Sequence, residues 1–339
     1  MFPPDAPLPK GAGEESFVSH QVVLQYLEDY AKNVRHLIKF NSKVQKVERR
    51  GNKWMIRTKT EDNVKESFFD IVFVCNGHYF KPSYPALKNQ FKRKTLHSHN
   101  YRRPQEFTGE TVAIVGAGFS GTDIALQLAE NAKKVYMLHR KAPQFTDLPS
   151  NIIECQALKD ITPDGESLLL QDNSTLDDVE TVIFCTGYDY EFPFFCEDVI
   201  RVTENGKVVS PLCLHMLHTT YSNSLFFIGL PFYSLPFLLA DYQVKFALSV
   251  VKGTAEVSEE KLQNYETERM LHVLEKYGSK AKFHQIGSEM FDLLREYARR
   301  GRFEDIIDYS KAQKMSTHLG KQREANLVGY KTEPYSLFE

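Results

Sequence analysis

Residues 111–140 constrain the fold of this chain more than any other segment. They read TVAIVGAGFSGTDIALQLAENAKKVYMLHR: an apolar run, the spacing G-x-G-x-x-G, apolar residues at helical spacing and a second apolar run. In a strand–loop–helix–strand unit, such glycines allow a tight turn, a close approach of the backbone to a pyrophosphate and close packing of helix on strand. We therefore predict a dinucleotide-binding unit. Its phosphate loop consists of Gly116, Gly118, Phe119, Ser120 and Gly121.

The end of the second strand indicates which dinucleotide is bound. An acidic residue there would bind the ribose 2′-hydroxyl of NAD, whereas a basic residue suits the 2′-phosphate of NADP. The chain reads His139-Arg140-Lys141 at this point. We predict NADPH, with Arg140 as the main ligand of the 2′-phosphate. The alternative is a solvated basic strand end without a ligand.

Two stretches of the chain end in the same way. The run DIVFVCNGHYF at 70–80 returns as ETVIFCTGYDY at 180–190, with cysteine, a small polar residue and glycine in the same order. We call Cys75-Asn76-Gly77 the first corner and Cys185-Thr186-Gly187 the second corner. A glycine allows a sharp turn beside a ligand, and flavoproteins with two dinucleotide sites end each unit in such a strand. The predicted cofactor-binding residues are Asn76, Thr186 and Gly187; chance similarity of two apolar strands is the alternative.

Only the second corner is preceded by a phosphate loop. Near the N-terminus, KGAGEESF at 10–17 contains Gly11 and Gly13, but Ser16 stands where the third glycine belongs. The proline-rich residues before it are unsuited to a buried parallel strand. We therefore expect the chain to begin after the position of a first phosphate loop.

The remaining pattern predicts an α/β fold with a mainly parallel sheet. A helix is expected from Ser19, a hairpin turn at Gly51-Asn52, and helices after about Asp241. The run FFDIVFVC at 68–75 does not alternate, which favours a strand covered on both faces. The apolar run 225–240 contains Pro231 and Pro236 and predicts a buried strand followed by a turn.

Composition narrows the possible functions. A net charge of −2 in 339 residues gives no basic surface for nucleic acid. The five cysteines lie at least 11 positions apart, which argues against a disulfide reductase and a metal knuckle. The pair His215 and His218 has no carboxylate or cysteine partner at useful spacing, so we predict no metal site. The run 225–240 is shorter than the roughly 20 residues of a membrane-spanning helix.

The chain resembles the flavin-containing monooxygenases, of the type called dimethylaniline monooxygenase. The resemblance rests on FKRKTLHSHNYRRP at 91–104, on VGAGFSGTDIA, on FCTGY, and on FFIGLP followed by Gln243. The first of these is similar to the family fingerprint F-x-G-x-x-x-H-x-x-x-[FY], with Phe91, His97 and Tyr101 in register. Arg93 stands where the fingerprint has glycine, so the irregular connector at 78–110 is expected to bend differently around it.

The resemblance implies the architecture of a flavoprotein with two dinucleotide-binding units. A Rossmann-like NADPH domain would be inserted in an N-terminally incomplete FAD domain with a helical C-terminus. The expected segments are 1–104 for the partial FAD domain and connector, 105–215 for the NADPH domain, and 216–339 for the return to the FAD domain and the C-terminal helices.

The resemblance also implies the chemistry. NADPH would reduce FAD, and O₂ would add to the flavin to give a hydroperoxide that oxygenates the nitrogen of an amine or the sulfur of a sulfide. His97 and Tyr101 would help to place the nicotinamide, and Gln243 would lie at the cofactor. Because the first phosphate loop has no counterpart, the alternative is a catalytically inactive NADPH-binding relative that has lost the FAD half-site.

The same resemblance and composition give the expected location. We expect a cytoplasmic protein without a transmembrane segment. A peripheral contact with the endoplasmic reticulum membrane, through the apolar run 225–240, is left open.

Overall fold

The computed structural model describes residues 17–141 and 145–332. The α-helices within these residues are α1 (His20–Ala31), α2 (Phe119–Ala129), α3 (Pro236–Val251), α4 (Glu259–Tyr277), α5 (Met290–Gly301) and α6 (Tyr309–Ala325). The strands are β1 (Lys43–Arg50), β2 (Lys53–Lys59), β3 (Val64–Phe69), β4 (Val72–Val74), β5 (Lys81–Pro82), β6 (Lys94–His97), β7 (Thr111–Val115), β8 (Lys134–His139), β9 (Ile152–Gln156), β10 (Leu158–Ile161), β11 (Leu168–Leu170), β12 (Thr175–Leu176), β13 (Thr181–Phe184), β14 (Tyr188–Asp189), β15 (Arg201–Thr203), β16 (Val208–Ser210), β17 (Leu212–Cys213), β18 (Leu217–His218) and β19 (Leu225–Phe227).

The chain divides into two compact units. Of the described residues, the first unit contains 18–78 and 189–313, and the second contains 17, 79–188 and 314–332. The sequence placed the boundaries after residues 104 and 215. In the structure the connector before residue 104 belongs to the second unit, because its strand β6 pairs with β13. Residues 79–188 of the second unit thus lie between the two segments of the first, as the resemblance implied for an inserted domain. Residues 189–215 belong to the first unit and residues 314–332 to the second, so the expected bounds at 215 and beyond 313 differ from those of the structure.

The second unit is built around a parallel sheet of five strands in the order β6-β13-β7-β8-β9. Every residue of β7 is buried, which is typical of a parallel strand covered on both faces. Helix α2 packs on one face, where Ile124 and Leu128 join Ile114 and Met137 in one apolar cluster. The carboxyl ends of parallel strands share one edge of the sheet, and ligands of such folds bind at that edge.

An antiparallel meander of β10, β11 and β12 belongs to the same unit. Its Ile161 and Leu168 lie in a second apolar cluster with Ala113, Leu138 and Val182 of the parallel sheet. Complete burial of a leucine such as Leu168 contributes about 1.5–3 kcal/mol. The central strands therefore have an apolar layer on each face.

The first unit contains the predicted hairpin. Strands β1 and β2 pair antiparallel, with Arg50 opposite Lys53, so that Gly51-Asn52 forms a two-residue turn. Gly51 has φ +61°, a backbone conformation that favours glycine in such turns. Trp54 on β2 is fully buried and meets the ring of Tyr221 edge-on at 5.0 Å.

The prediction of one buried strand over FFDIVFVC was wrong. The run divides between β3, which pairs antiparallel with β2, and β4, which pairs parallel with β19. Phe68 and Phe69 on β3 are 53% and 44% exposed, whereas Val72 and Val74 on β4 are buried. Asp70, a residue type that favours turns, stands where the run divides, but a single aspartate did not show that the two halves join different sheets.

The larger sheet of the first unit has the order β17-β18-β19-β4. Its Phe226 lies in a buried cluster with Leu239 and Phe246 of α3 and Leu294 and Tyr297 of α5. The predicted helix after Ser19 is confirmed as α1, and the predicted C-terminal helices are confirmed, although α3 begins as early as Pro236.

The apolar run 225–240 forms β19, whose three residues are buried, and the first part of α3. Within residues 17–141 and 145–332, no helix combines the length and the apolar character that crossing a membrane requires. All five cysteines are free thiols.

Candidate dinucleotide-binding site

The glycine loop, residues 116–121, connects β7 to α2 in a conformation that requires glycine at two positions. Gly116 has φ +108°, and a Cβ atom there would lie 2.7 Å from the carbonyl oxygen of Cys185. A Cβ atom on Gly121 would lie 1.8 Å from the carbonyl oxygen of Gly116. Both obstacles are backbone atoms, so they cannot move aside as a flexible side chain could. These two glycines bring the loop, the helix and the second corner into close contact.

Gly118 has a different environment. It precedes the first residue of α2, no side chain caps the helix there, and a Cβ atom on Gly118 would have no neighbour within 4 Å. The next two residues, Phe119 and Ser120, are exposed. The first backbone N–H groups of a helix have no intrahelical partner and lie at the positive end of the helix dipole. This end of α2 is therefore suited to bind the phosphates of a dinucleotide.

Arg140 lies directly after β8 and is exposed. The residue before it, His139, is buried, and its Nε2 lies 2.8 Å from Oε1 of Glu154 on β9. The other carboxylate oxygen of Glu154 accepts a hydrogen bond from the backbone N–H of Phe145 at 3.2 Å. Sequence reasoning missed Glu154, because its pairing with His139 depends on the parallel register of β8 and β9.

The second corner packs against the glycine loop. The backbone N–H of Cys185 donates to the carbonyl oxygen of Val115 at 2.9 Å, and burial raises the pKa of the Cys185 thiol to about 12. The hydroxyl of Thr186 donates to the carbonyl oxygen of Ser83, whose own N–H donates to the carbonyl oxygen of Gly187 at 2.9 Å. Gly187 has φ +79° and open space where a Cβ would stand. The corner is thus fixed on its connector side and open at Gly187.

His97 ends β6 and is fully buried. Its ring lies between those of Tyr84 and Tyr188, at centroid distances of 5.4 and 5.1 Å. Burial lowers the pKa of His97, and its Nδ1 accepts a hydrogen bond from the backbone N–H of His99 at 3.1 Å. The ring is therefore a neutral imidazole enclosed by aromatic side chains, in register with Phe184 beside the second corner.

Tyr101 has different neighbours from those of His97. Its hydroxyl donates to the side-chain oxygen of Gln127 on α2 at 3.0 Å, and its ring stacks on Phe107 at 5.8 Å. Burial raises the pKa of Tyr101 to about 12. With a rise of about 1.5 Å per residue, Gln127 lies about 12 Å along the helix from Phe119. Tyr101 therefore fastens the connector to the far end of α2, away from the glycine loop.

Two predicted cofactor residues, Asn76 and Gln243, belong to the first unit. Asn76 is exposed after β4, and Gly77 beside it has φ +73° with open space where a Cβ would stand. Gln243 on α3 is fully buried, and its side-chain oxygen accepts a hydrogen bond from the N–H of Gly229 at 2.8 Å. Gln243 thus holds the turn that follows β19.

The first unit also contains a buried histidine pair that the sequence did not reveal. The N–H of Val209 donates to Nε2 of His284 at 3.1 Å, and the Nδ1 atoms of His284 and His215 lie 3.1 Å apart. Since Nε2 of His284 is an acceptor, its neutral ring carries its proton on Nδ1 and donates it to His215. Burial lowers the pKa of His284 to about 3 and that of His215 well below its usual range. The contact of His284 with Val209 joins distant segments, so the spacing of neighbouring residues could not predict it.

With this geometry established, comparison with known proteins gives the family. The family model described as flavin-binding monooxygenase-like matches residues 2–144 and 144–300. This chain belongs to that family. The glycine loop, the second corner and the FFIGLP segment all lie within the matched residues.

Two curated relatives from Arabidopsis thaliana illustrate the similarity. Flavin-containing monooxygenase FMO GS-OX5 is 30% identical over 287 residues, which are 82% of this chain and 62% of that protein. Flavin-containing monooxygenase FMO GS-OX-like 3 is 30% identical over 332 residues, which are 94% of this chain and 73% of that protein. The match to the first of these relatives thus spans less than two thirds of its length.

Solved structures support the fold. S-allyl-L-cysteine S-oxygenase from Allium sativum matches with a TM-score of 0.87 and 28% identity, over 98% of this chain and 78% of that one. Tmm from Pelagibacter sp. strain HTCC7211 matches with a TM-score of 0.77 and 25% identity, over 92% and 71%. The predicted architecture, a flavoprotein with two dinucleotide-binding units, is confirmed. FAD and NADPH are the cofactors that this family implies.

Proposed function

We propose that this chain acts as an NADPH- and flavin-dependent monooxygenase that oxygenates the sulfur or nitrogen of small molecules. The observation that carries the proposal is the glycine loop of the second unit, with its open Gly118 and the uncapped start of α2. Membership of the flavin-binding monooxygenase-like family supplies the reaction class. The S-oxygenase name of the garlic structure favours sulfur as the atom attacked.

The second unit fits NADPH. The first N–H groups of α2 would bind the pyrophosphate, and Gly118 would let the backbone approach it. The exposed Arg140 would bind the 2′-phosphate, since a guanidinium can donate two parallel hydrogen bonds to phosphate. The open side of Gly187 gives the dinucleotide room to pass the second corner. His97, buried among tyrosines, would act by holding this corner in place.

The first unit fits FAD only in part. Gly77 and Gly229 end the parallel strands β4 and β19 with φ +73° and +81°, and both have open space where a Cβ would stand. Within residues 17–141 and 145–332, however, only one strand is followed by a G-x-G-x-x-G loop and a helix, and that strand is β7. When bound, a flavin supplies the activation of oxygen. The described residues of this unit do not include a loop for its phosphates.

A second candidate function is NADPH binding without FAD. A chain that binds NADPH without FAD would be a binding protein, because transfer of an oxygen atom requires the flavin. The second unit would be unchanged in such a protein. The two functions therefore differ in flavin binding and agree in NADPH binding.

The visible absorption spectrum of the purified chain, recorded with and without added FAD, separates the two functions. Bound flavin, followed by NADPH oxidation and oxygen uptake that increase with an added thioether, is the result expected for the monooxygenase. A colourless protein that still binds NADPH would establish the binding function. A protein that binds neither flavin nor NADPH would contradict both functions.

The proposed role of Arg140 has its own test. Arg140→Ala should lower the affinity for NADPH about 10–100-fold and leave the affinity for NADH nearly unchanged. The reason is that hydrogen bonds to a charged phosphate contribute about 1.5–3 kcal/mol. The matched control is Lys133→Ala, an exposed cation just before the opposite end of β8. Equal losses for NADPH and NADH in the Arg140 variant would exclude the 2′-phosphate assignment.

A further inference from the structure

A C-terminal segment of the chain lies along the first turn of α2. Arg323, near the end of α6, donates from Nη2 to the hydroxyl of Thr122 at 3.2 Å, and its guanidinium carbon lies 4.5 Å from the ring centroid of Phe119. Farther along, Nζ of Lys331 pairs with Asp123 at 2.7 Å. These residues all belong to the second unit. Two cations from the C-terminal segment are thus placed immediately after the glycine loop.

The charge of Arg323 is poorly compensated where it lies. The N-terminal end of a helix carries a partial positive charge, so a cation in the first turn is repelled. Lys331 is balanced by Asp123, but among residues 17–141 and 145–332 no carboxylate lies within 4.0 Å of the Arg323 guanidinium. The Nε atom of Arg323 is buried and has no hydrogen-bond partner among these residues. A buried donor without a partner is destabilising.

An anion at the glycine loop would compensate this charge. It would offset the helix dipole and the guanidinium together, and its oxygens would provide acceptors for the remaining Arg323 donors. The contacts already present suit this role. The Phe119 ring supports the guanidinium through a cation–π contact, and Thr122 fixes one of its nitrogens, so the planar group is held before a ligand arrives.

We propose that Arg323 is a further phosphate-binding residue of this site and binds the pyrophosphate of the dinucleotide. The inference rests on the proposed NADPH binding by the second unit. It adds a residue 201 positions away from Thr122 in the sequence. It also makes the C-terminal segment part of the nucleotide site.

The pyrophosphate is common to NADPH and NADH, whereas the 2′-phosphate is present in NADPH alone. In equilibrium titrations of the full chain, Arg323→Gln should therefore raise the Kd for both nucleotides by the same factor, about 10–100-fold. The Kd should also depend less on salt concentration, since one charged contact to phosphate is lost. Lys321→Gln, which removes an exposed cation on the same helix, should change either Kd less than about twofold.

Arg323→Lys tests whether Arg323 has only a structural role. It keeps the charge but loses the planar fork, so it should weaken both nucleotides less than Arg323→Gln does. The melting temperature of the unliganded chain measures any loss of docking of α6. If Arg323→Gln and Arg323→Lys lower that temperature and weaken binding equally, with an unchanged salt dependence, Arg323 serves only to anchor the helix and the proposal is overturned.

The remaining outcomes separate this inference from the proposed function. If the wild-type chain binds neither nucleotide, the proposed function fails, and the Arg323 inference fails with it. If the wild-type chain binds NADPH and Arg323→Gln binds it equally well, the proposed function stands and the Arg323 inference is wrong. A loss confined to NADPH would contradict the pyrophosphate assignment and place Arg323 at the 2′-phosphate.

Discussion

The two corners have nearly the same sequence and different surroundings. Both end a parallel strand, and their glycines, Gly77 and Gly187, have similar φ values of +73° and +79°. The second corner follows β13, which has β6 on one side and β7 on the other, and it packs against the glycine loop. The first corner follows β4, which lies at the edge of its sheet within the described residues. The same short motif therefore specifies a turn, and the neighbouring loop decides what the turn can bind.

The largest expected effect comes from the contact between Gly121 and Gly116. Gly121→Ala places a Cβ atom 1.8 Å from a backbone oxygen, so α2 must move away from the loop. We expect a loss of about 3 kcal/mol in the free energy of unfolding, and an NADPH affinity lowered about 100-fold or more. Urea unfolding and a fluorescence titration with NADPH measure these two quantities.

The control for this prediction is Gly320→Ala. Gly320 lies in α6, in the same unit, and a Cβ atom there would have no neighbour within 4 Å. Alanine favours a helix over glycine by about 1 kcal/mol, so this variant should be slightly more stable and bind NADPH normally. Wild-type NADPH binding by Gly121→Ala would mean that the loop is not the phosphate site.

An effect of intermediate size is expected from matched substitutions in the two corners. Gly77→Ala and Gly187→Ala both force a side chain into the left-handed region, which costs about 1–2 kcal/mol, and neither new Cβ meets another atom within 4 Å. Their stability losses should therefore be alike. Only Gly187→Ala should lower the affinity for NADPH, by about 10-fold, because the dinucleotide is proposed to pass the second corner. Equal losses of NADPH affinity in the two variants would show that the second corner has no special role in binding the dinucleotide.

The smallest expected effect concerns pH. The first unit contains four histidines whose pKa burial lowers, and the second unit contains His97. The four are His78, His215, His218 and His284. Such a histidine binds its proton only on unfolding, so the stability it contributes is complete above the usual pKa of 6.5 and falls as pH drops below it. His215 and His284, whose pKa values lie well below the usual one, should each contribute a loss of about 1 kcal/mol between about pH 6.5 and 5.5.

Hydrogen exchange, corrected for its intrinsic pH dependence, measures this difference between the units. Protection at 209–218 and 283–287 should fall more on acidification than protection at 111–139. His284→Gln removes one titrating group, so its unfolding free energy should vary about 1 kcal/mol less over the same range. Equal losses of protection in both units would show that the histidine pair does not set the acid stability.

Local sequence patterns predicted the parts of the molecule that depend on local geometry. The glycine loop and the Gly51-Asn52 hairpin follow from spacing and from the turn preference of glycine, and both occur as predicted. The family fingerprint placed His97 and Tyr101 at one site, but the structure gives them different neighbours. An alignment of residue types carries no information about which way each side chain packs.

The features that the sequence did not predict depend on contacts between distant segments. Glu154 reaches His139 through the register of two strands, and His284 reaches Val209 through a loop 75 positions away. The run 68–75 looked like one strand because its only turn-favouring residue, Asp70, does not show which sheet each half joins. Composition and periodicity indicate which residues are buried. They do not indicate which distant residue each one contacts.

The nucleotide site proposed for the second unit should be complete without flavin. It is tested most directly by titrating the flavin-free chain with NADPH in a calorimeter. We expect binding of one NADPH per chain, with NADH at least about 10-fold weaker, since Arg140 would add a charged hydrogen bond to the 2′-phosphate. No heat of binding until FAD is added would contradict it, and would mean that the glycine loop alone does not form the site.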